Sequence, residues 1–174
     1  FNSSQNGLRE KRFVIKNFGI WDEELIKDVG ANAKMNEFQA AMGLCNLRHI
    51  DRELAKRKAV VEHYNERLSG VNGLKISAPQ KDVKPNYAYY PVIFEPEEFG
   101  KSRDEIYELL KVNEIYARKY FYPLTNTFEC YKGMFDMGDT PVALDLSKKV
   151  LTLPLYADLR IDQVDRICDI ILGR

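Results

Sequence analysis

Residues 36–68 read NEFQAAMGLCNLRHIDRELAKRKAVVEHYNERL, a run without a proline. Asn36, with Gln39 three positions on, resembles a capping box with asparagine in place of the usual serine or threonine. Apolar side chains then recur at Phe38, Met42 and Cys45, at Leu47, Ile50 and Leu54, and at Val61, Tyr64 and Leu68, with slips of phase after Cys45 and Leu54. The spacing predicts one helix over 36–68, roughly 50 Å long at ~1.5 Å per residue. Ser69-Gly70 and Asn72-Gly73 end it. A helix of that length outruns one small core. It is expected to connect two domains or to lie against a partner.

On the C-terminal side the segments shorten and alternate. Leu74–Ser77 and Tyr87–Phe94 read as strands, the second with Pro91 as the mark of an edge or a bulge. Arg103–Val112 has helical spacing at Ile106, Leu109 and Leu110, and Ile115–Tyr122 reads as strand-like or extended. Residues 124–139 carry turn formers, Thr140-Pro141 opens a short helix through Lys148, Val150–Leu153 is a strand, and Asp162–Leu172 is an amphipathic helix. On the N-terminal side, the apolar stretch within Arg12–Ile20 is too brief to type, Trp21–Lys27 follows, and Val29-Gly30 reads as a turn. The order implies an α/β domain of the α+β kind, a small sheet with helices mainly on one face.

Composition narrows the function. The chain has 174 residues with 26 Lys+Arg against 26 Asp+Glu, so it lacks the uncompensated cations of a nucleic-acid binder. No apolar run reaches the ~20 residues of a membrane span. Cys45, Cys130 and Cys168 form neither a CxxC pair nor a disulfide framework, which suits a reducing, cytoplasmic setting. The chain starts at Phe1 rather than methionine and is expected to be a piece of something longer. His49 and His63 stand about 21 Å apart along one helix, too far to share a metal, so no metal site is expected.

Two segments have chemistry to offer. Gly30-Ala31-Asn32-Ala33-Lys34-Met35-Asn36 puts an amide and an ammonium before a helix N-terminus, where an anion such as a phosphate could sit, although chemistry alone favours an ordinary capped turn with a solvated lysine. Arg118-Lys119-Tyr120-Phe121-Tyr122-Pro123 interleaves cations with aromatic rings, suited to a ligand with rings and phosphates, although composition and spacing favour a core strand with snorkelling cations.

Taken together, these stretches resemble a known family. GANAKMNEFQAAMGLCNLRHID (Gly30–Asp51), Lys16-Asn17-Phe18-Gly19-Ile20, Asn86–Pro91, Arg118–Pro123 and Val150–Tyr156 are similar, in order and spacing, to segments of the DegT/DnrJ/EryC1/StrS sugar aminotransferases. The resemblance implies the C-terminal portion of the fold-type I, aspartate aminotransferase-like fold. Residues 1–35 would end the large cofactor-binding domain, 36–68 would be the connecting helix, and 69–174 the small domain. It further implies pyridoxal 5'-phosphate as cofactor, a homodimer, glutamate as amino donor and a nucleotide-linked keto sugar as acceptor, in cell-envelope polysaccharide or antibiotic-sugar synthesis. The Schiff-base lysine of such enzymes falls in the family's large domain and matches no lysine here, so no catalytic residue is assigned and the chain alone is expected to be inactive.

Carried over position by position, Asn32 matches an asparagine that reaches the cofactor phosphate of the neighbouring subunit. Lys34 matches a basic position near the substrate that is usually arginine, and lysine keeps the charge while losing the bidentate fork. Arg118, Tyr120 and Tyr122 match the segment at the nucleotide-sugar entrance, and the Tyr-Phe-Tyr-Pro form resembles enzymes that aminate a dTDP-4-keto-6-deoxy sugar. A sugar dehydratase of the same family, with histidine in place of the lysine, and a non-catalytic regulatory member are the alternatives.

Overall fold

The fold is taken from a computed structural model, which describes residues 6–21, 25, 28–78, 80–128, 131 and 133–174. Most of Trp21–Lys27 and all of Cys130 lie outside the described residues. The chain divides into two compact units, Phe1–Ile50 and Asp51–Arg174.

In the first unit the untyped N-terminal stretch is a helix, α1 (Asn6–Lys16), followed by the turn at Phe18-Gly19. The segment after Gly30 runs back alongside it. Asn17 and Asn32 form an antiparallel bridge, and the Ala31 N–H donates to the Ile15 carbonyl at 3.0 Å. Gly30 is required by this crossing: a Cβ there would stand 2.4 Å from the Ile15 oxygen and 2.5 Å from the Gly19 nitrogen. Next comes α2 (Glu37–Leu47), and the expected capping box is present, with Asn36 Oδ1 accepting from the Gln39 N–H at 2.9 Å and Gln39 Oε1 from the Asn36 N–H at 3.0 Å.

The single helix expected over 36–68 is corrected here to two, α2 and α3 (Ile50–Leu68). Arg48 and His49 turn between them, their N–H groups donating to the carbonyls three residues back, Cys45 and Asn46. The break falls at the first slip of the apolar phase. After Cys45 the repeat shifts, and a turn tightened to i−3 bonds absorbs the change that a continuous helix would have to carry. The second slip, after Leu54, leaves α3 unbroken.

In the second unit α3 buries Val60, Tyr64 and Leu68, one residue per turn on one face. Gly73, at φ +75°, then turns the chain into β1 (Leu74–Ile76) where a Cβ would lie 2.3 Å from the Phe99 nitrogen. β1, β2 (Tyr90–Phe94) and β3 (Val150–Leu153) form an antiparallel sheet in the order β1-β2-β3. The second strand starts three residues later than its aromatic content suggests, and Ile115–Tyr122 supplies no strand, only a one-residue bridge from Arg118 to Thr152.

Pro91 sits in the central strand rather than at an edge or in a bulge. The ladder explains why it is tolerated. Its partner Thr152 directs both its N–H and its carbonyl to Arg118, on the far side. Pro91 thus belongs to a non-hydrogen-bonded pair with β3. On its other side β1 has already ended, at the Ile76–Val92 pair, so no bond waits for the missing N–H.

This unit also holds α4 (Pro96–Phe99), α5 (Arg103–Val112), α6 (Pro141–Lys149) and α7 (Ile161–Leu172). Ser102 and Glu105 make a capping box on α5. Tyr90, Val92 and Phe94, with Leu151 and Leu153 opposite, turn one sheet face to a core shared with α3, α5 and α7. On α7 the buried set is Val164, Ile167, Cys168 and Ile171, as its periodicity requires.

Candidate functional site

The two chemically interesting segments lie in different units, Asn32 and Lys34 in the first, Arg118, Tyr120 and Tyr122 in the second. In the first unit the backbone bridge of Asn32 to Asn17 fixes the segment while its side chain stays exposed. Lys34 Nζ donates to Asn17 Oδ1 at 3.1 Å and stands 5.4 Å from the centre of the Phe18 ring. An amide donor and an ammonium are thereby held on one exposed strip before the capped start of α2. That donor set suits the oxygens of a phosphate. Asn17 and Phe18, which orient Lys34, stand within the quoted Lys16–Ile20 stretch, but only the crossing of chains at Gly30 shows what they touch.

In the second unit the segment after α5 is pinned at its start by two backbone bonds, Arg118 N–H to the Thr152 carbonyl at 2.9 Å and Thr152 N–H to the Arg118 carbonyl at 2.8 Å. It then turns, with Tyr122 N–H donating to the Lys119 carbonyl at 2.7 Å. The Arg118 guanidinium donates to the Tyr120 hydroxyl and lies 5.4 Å from the centre of that ring. Tyr120 and Phe121 stack at 4.8 Å, and Tyr89 meets both rings edge-on, at 5.6 and 6.4 Å.

Phe121 is 67% exposed and Tyr89 56%, an unusual state for rings so closely grouped. The core-strand reading of this segment therefore fails: the rings face outward beside an exposed arginine. Tyr89 and Phe121 were not among the sequence candidates. Phe121 stands inside the quoted motif. Tyr89 lies just before β2 in a stretch that reads as strand, and its role emerges only from tertiary packing.

The α5 helix supports the turn from beneath. Asp104 accepts from Lys119 Nζ, which also stands 4.4 Å from the centre of the Tyr107 ring. Lys119 first, and then Arg103, hold the Asp104 carboxyl below its ordinary pKa. Arg103, 2% exposed, places its guanidinium 5.2 Å from the centre of the Tyr122 ring. Sequence reading saw in Arg103 only the start of a helix. Among the described residues no group of three or more His, Cys, Asp or Glu is arranged to hold a metal, and no helix is long and apolar enough to cross a membrane.

In the first unit an amide and an ammonium stand on an exposed strip, and in the second an exposed arginine stands beside an aromatic turn. The chain belongs to the DegT/DnrJ/EryC1/StrS aminotransferase family, which it matches over residues 3–172. It is 40% identical over 162 residues to a dTDP-4-amino-4,6-dideoxy-D-glucose transaminase of Escherichia coli, covering 92% of this chain and 43% of that protein. A transaminase of the same name from Shigella dysenteriae is 37% identical over 160 residues, with the same coverage. Among solved structures, DesV of S. venezuelae superposes with a TM-score of 0.83 at 25% identity, covering 97% of this chain and 44% of that one. The chain spans less than half the length of the relatives it matches.

Proposed function

We propose that this chain is the C-terminal part of a pyridoxal-phosphate-dependent aminotransferase that moves an amino group from glutamate to a dTDP-linked 4-keto-6-deoxy sugar. The observation that carries the reading is the 40% identity to a transaminase whose name specifies a dTDP-linked 4-amino-4,6-dideoxy sugar. In this reading residues 1–35 end the large cofactor-binding domain, 36–68 connect it to the small domain, 69–174 form that small domain, and the working form is a homodimer. Exposed Phe38, Met42, Leu44 and Leu47 on α2 support an assembly that covers them. The 174 residues by themselves are inactive.

Pyridoxal phosphate, when bound, supplies the electron-withdrawing ring through which the amino group is exchanged. Asn32 donates its amide to the cofactor phosphate of the neighbouring subunit. Lys34, held by Asn17, contributes positive charge near the substrate. Arg118 pairs with the sugar nucleotide's diphosphate, for which its fork of donors is suited. Tyr120 and Tyr122 line the entrance, and the exposed faces of Phe121 and Tyr89 offer stacking surface to the base.

The test uses the full-length protein loaded with pyridoxal phosphate. Glutamate is expected to change the cofactor's absorbance, and a dTDP-4-keto-6-deoxy sugar to reverse the change. Absence of any response to glutamate overturns the transfer reading. Reversal by UDP- or GDP-linked sugars alone overturns the assigned nucleotide.

A further inference from the structure

Arg103 has a full positive charge where almost no water reaches, at the first position of α5. Both circumstances oppose it, because burial penalises a cation and a helix N-terminus is itself positive. The surroundings compensate in a particular way. One terminal nitrogen of the guanidinium donates to the carbonyls of Ser147 and Val150, each at 3.2 Å. Nε lies 2.9 Å from Asp104 Oδ1 without the alignment of a hydrogen bond. The guanidinium also lies over the ring of Tyr122, 5.2 Å from its centre. A planar, delocalised cation can serve carbonyls at its edge and a ring at its face together, and an ammonium cannot.

One residue further along α5, Asp104 holds Lys119. The first turn of this helix therefore grips the aromatic segment at two places, Lys119 and Tyr122, and the bond from Tyr122 N–H to the Lys119 carbonyl closes the chain between them. With Arg118 bridged to β3, the backbone of the segment is fixed on both sides of its turn. The residues of the segment 118–122 that stay exposed are Arg118, Phe121 and Tyr122.

We propose that Arg103 is a positioning residue: its buried guanidinium, beneath Tyr122 and bonded to the junction of α6 and β3, sets where Arg118, Tyr120 and Tyr122 meet the sugar nucleotide. The proposal rests on the reading of this segment as a substrate contact. It predicts that loss of the cation acts at a distance, through Tyr122, on binding by a different residue.

Two readouts separate the proposal from that reading. In the 174-residue chain, deuterium uptake of a peptide spanning 117–123 is expected to quicken about tenfold in Arg103→Met and in Tyr122→Leu, while a peptide covering α7 is unchanged. In the full-length protein, calorimetric titration with dTDP is expected to give about tenfold weaker binding for each variant, with the double variant no weaker than either single one. Arg103→Lys is expected to fall between wild type and Arg103→Met. Tyr122 is 53% exposed, so Tyr122→Leu keeps the test open should Arg103→Met fail to fold.

Unchanged uptake at 117–123 in Tyr122→Leu overturns the hold of Arg103 on the segment. Additive losses of dTDP binding in the double variant overturn the action of Arg103 through Tyr122. Quickened uptake in both variants, in a protein whose dTDP binding is unaffected by Arg118→Ala, supports the hold and overturns the substrate reading.

Discussion

Helices α2 and α3 follow one another in the chain, yet they reverse the usual relation between composition and burial. α2, EFQAAMGLCNL, is the more apolar and buries none of its residues. α3, IDRELAKRKAVVEHYNERL, is rich in charge and buries three. What decides burial is whether a complementary surface exists. For α3 it is the sheet and α7, which meet Val60, Tyr64 and Leu68 in one core. For α2 the exposed Phe38, at 88%, and Met42, at 63%, meet no such surface among the described residues. With Leu44 and Leu47 also exposed, α2 leaves a row of apolar side chains uncovered among the described residues.

The largest expected contrast is chemical. Cys45 lies exposed on α2, and Cys168 lies buried on α7, where burial pushes its thiol up to about 12. The thiolate is the reactive form. At pH 8 a maleimide is expected to modify Cys45 at least ~100-fold faster than Cys168, read by peptide mass mapping, with the gap closing in denaturant. Comparable rates in the native chain would mean that α7 is not packed as described.

Truncations in the core that α3 shares and on α2 probe the same contrast in free energy. Phe94→Ala, in the core beneath α3, is expected to lower stability by about 3–5 kcal/mol in urea unfolding, as removal of a fully buried aromatic does. Phe38→Ala on α2 is expected to change it by no more than ~0.5 kcal/mol, because the ring is already in water. Its effect belongs instead to assembly, as reduced self-association in light scattering at high concentration. A large loss of stability in the monomer from Phe38→Ala would show that α2 is covered within the chain after all.

The same contrast marks what could be read from the sequence. Elements with a local signal and a partner in the chain were legible to within a residue: α5 from Arg103 to Val112, β3 from Val150 to Leu153, and α7 from its four-residue buried set. The box at Asn36 and Gln39 is local chemistry and was legible too. The break at Arg48-His49 was visible only as a slip of phase, and the identical kind of slip after Leu54 breaks nothing. A slip ends a helix or is absorbed according to what each half packs on, which no window of sequence contains. The aromatic segment at 118–122 could be recognised, but its shape depends on Thr152 and Arg103, contributed by β3 and α5. Cation and ring are far apart in sequence and adjacent only after folding.

The smallest effect concerns how α3 is held to α7 beyond the core. Asp165 on α7 accepts from His63 at 2.8 Å and from Arg67, Arg67 also reaches Asp169, and His63 stands 3.4 Å from Glu66. The hydrogen bond from His63, and then Arg67, hold the Asp165 carboxyl below its ordinary pKa. A depressed carboxyl binds its proton less readily in the folded chain than in the unfolded one. Acid therefore favours unfolding: the contribution is present above the ordinary carboxylate value, near pH 4, and is lost as pH falls through the depressed one. Asp165→Asn removes that linkage. The variant is expected to be less stable than wild type at pH 7 and to approach it as pH falls below the ordinary carboxylate value, so that the two urea midpoints converge. Parallel pH curves would mean that these ions do not fasten α3, and that the difference between α2 and α3 lies in apolar packing alone.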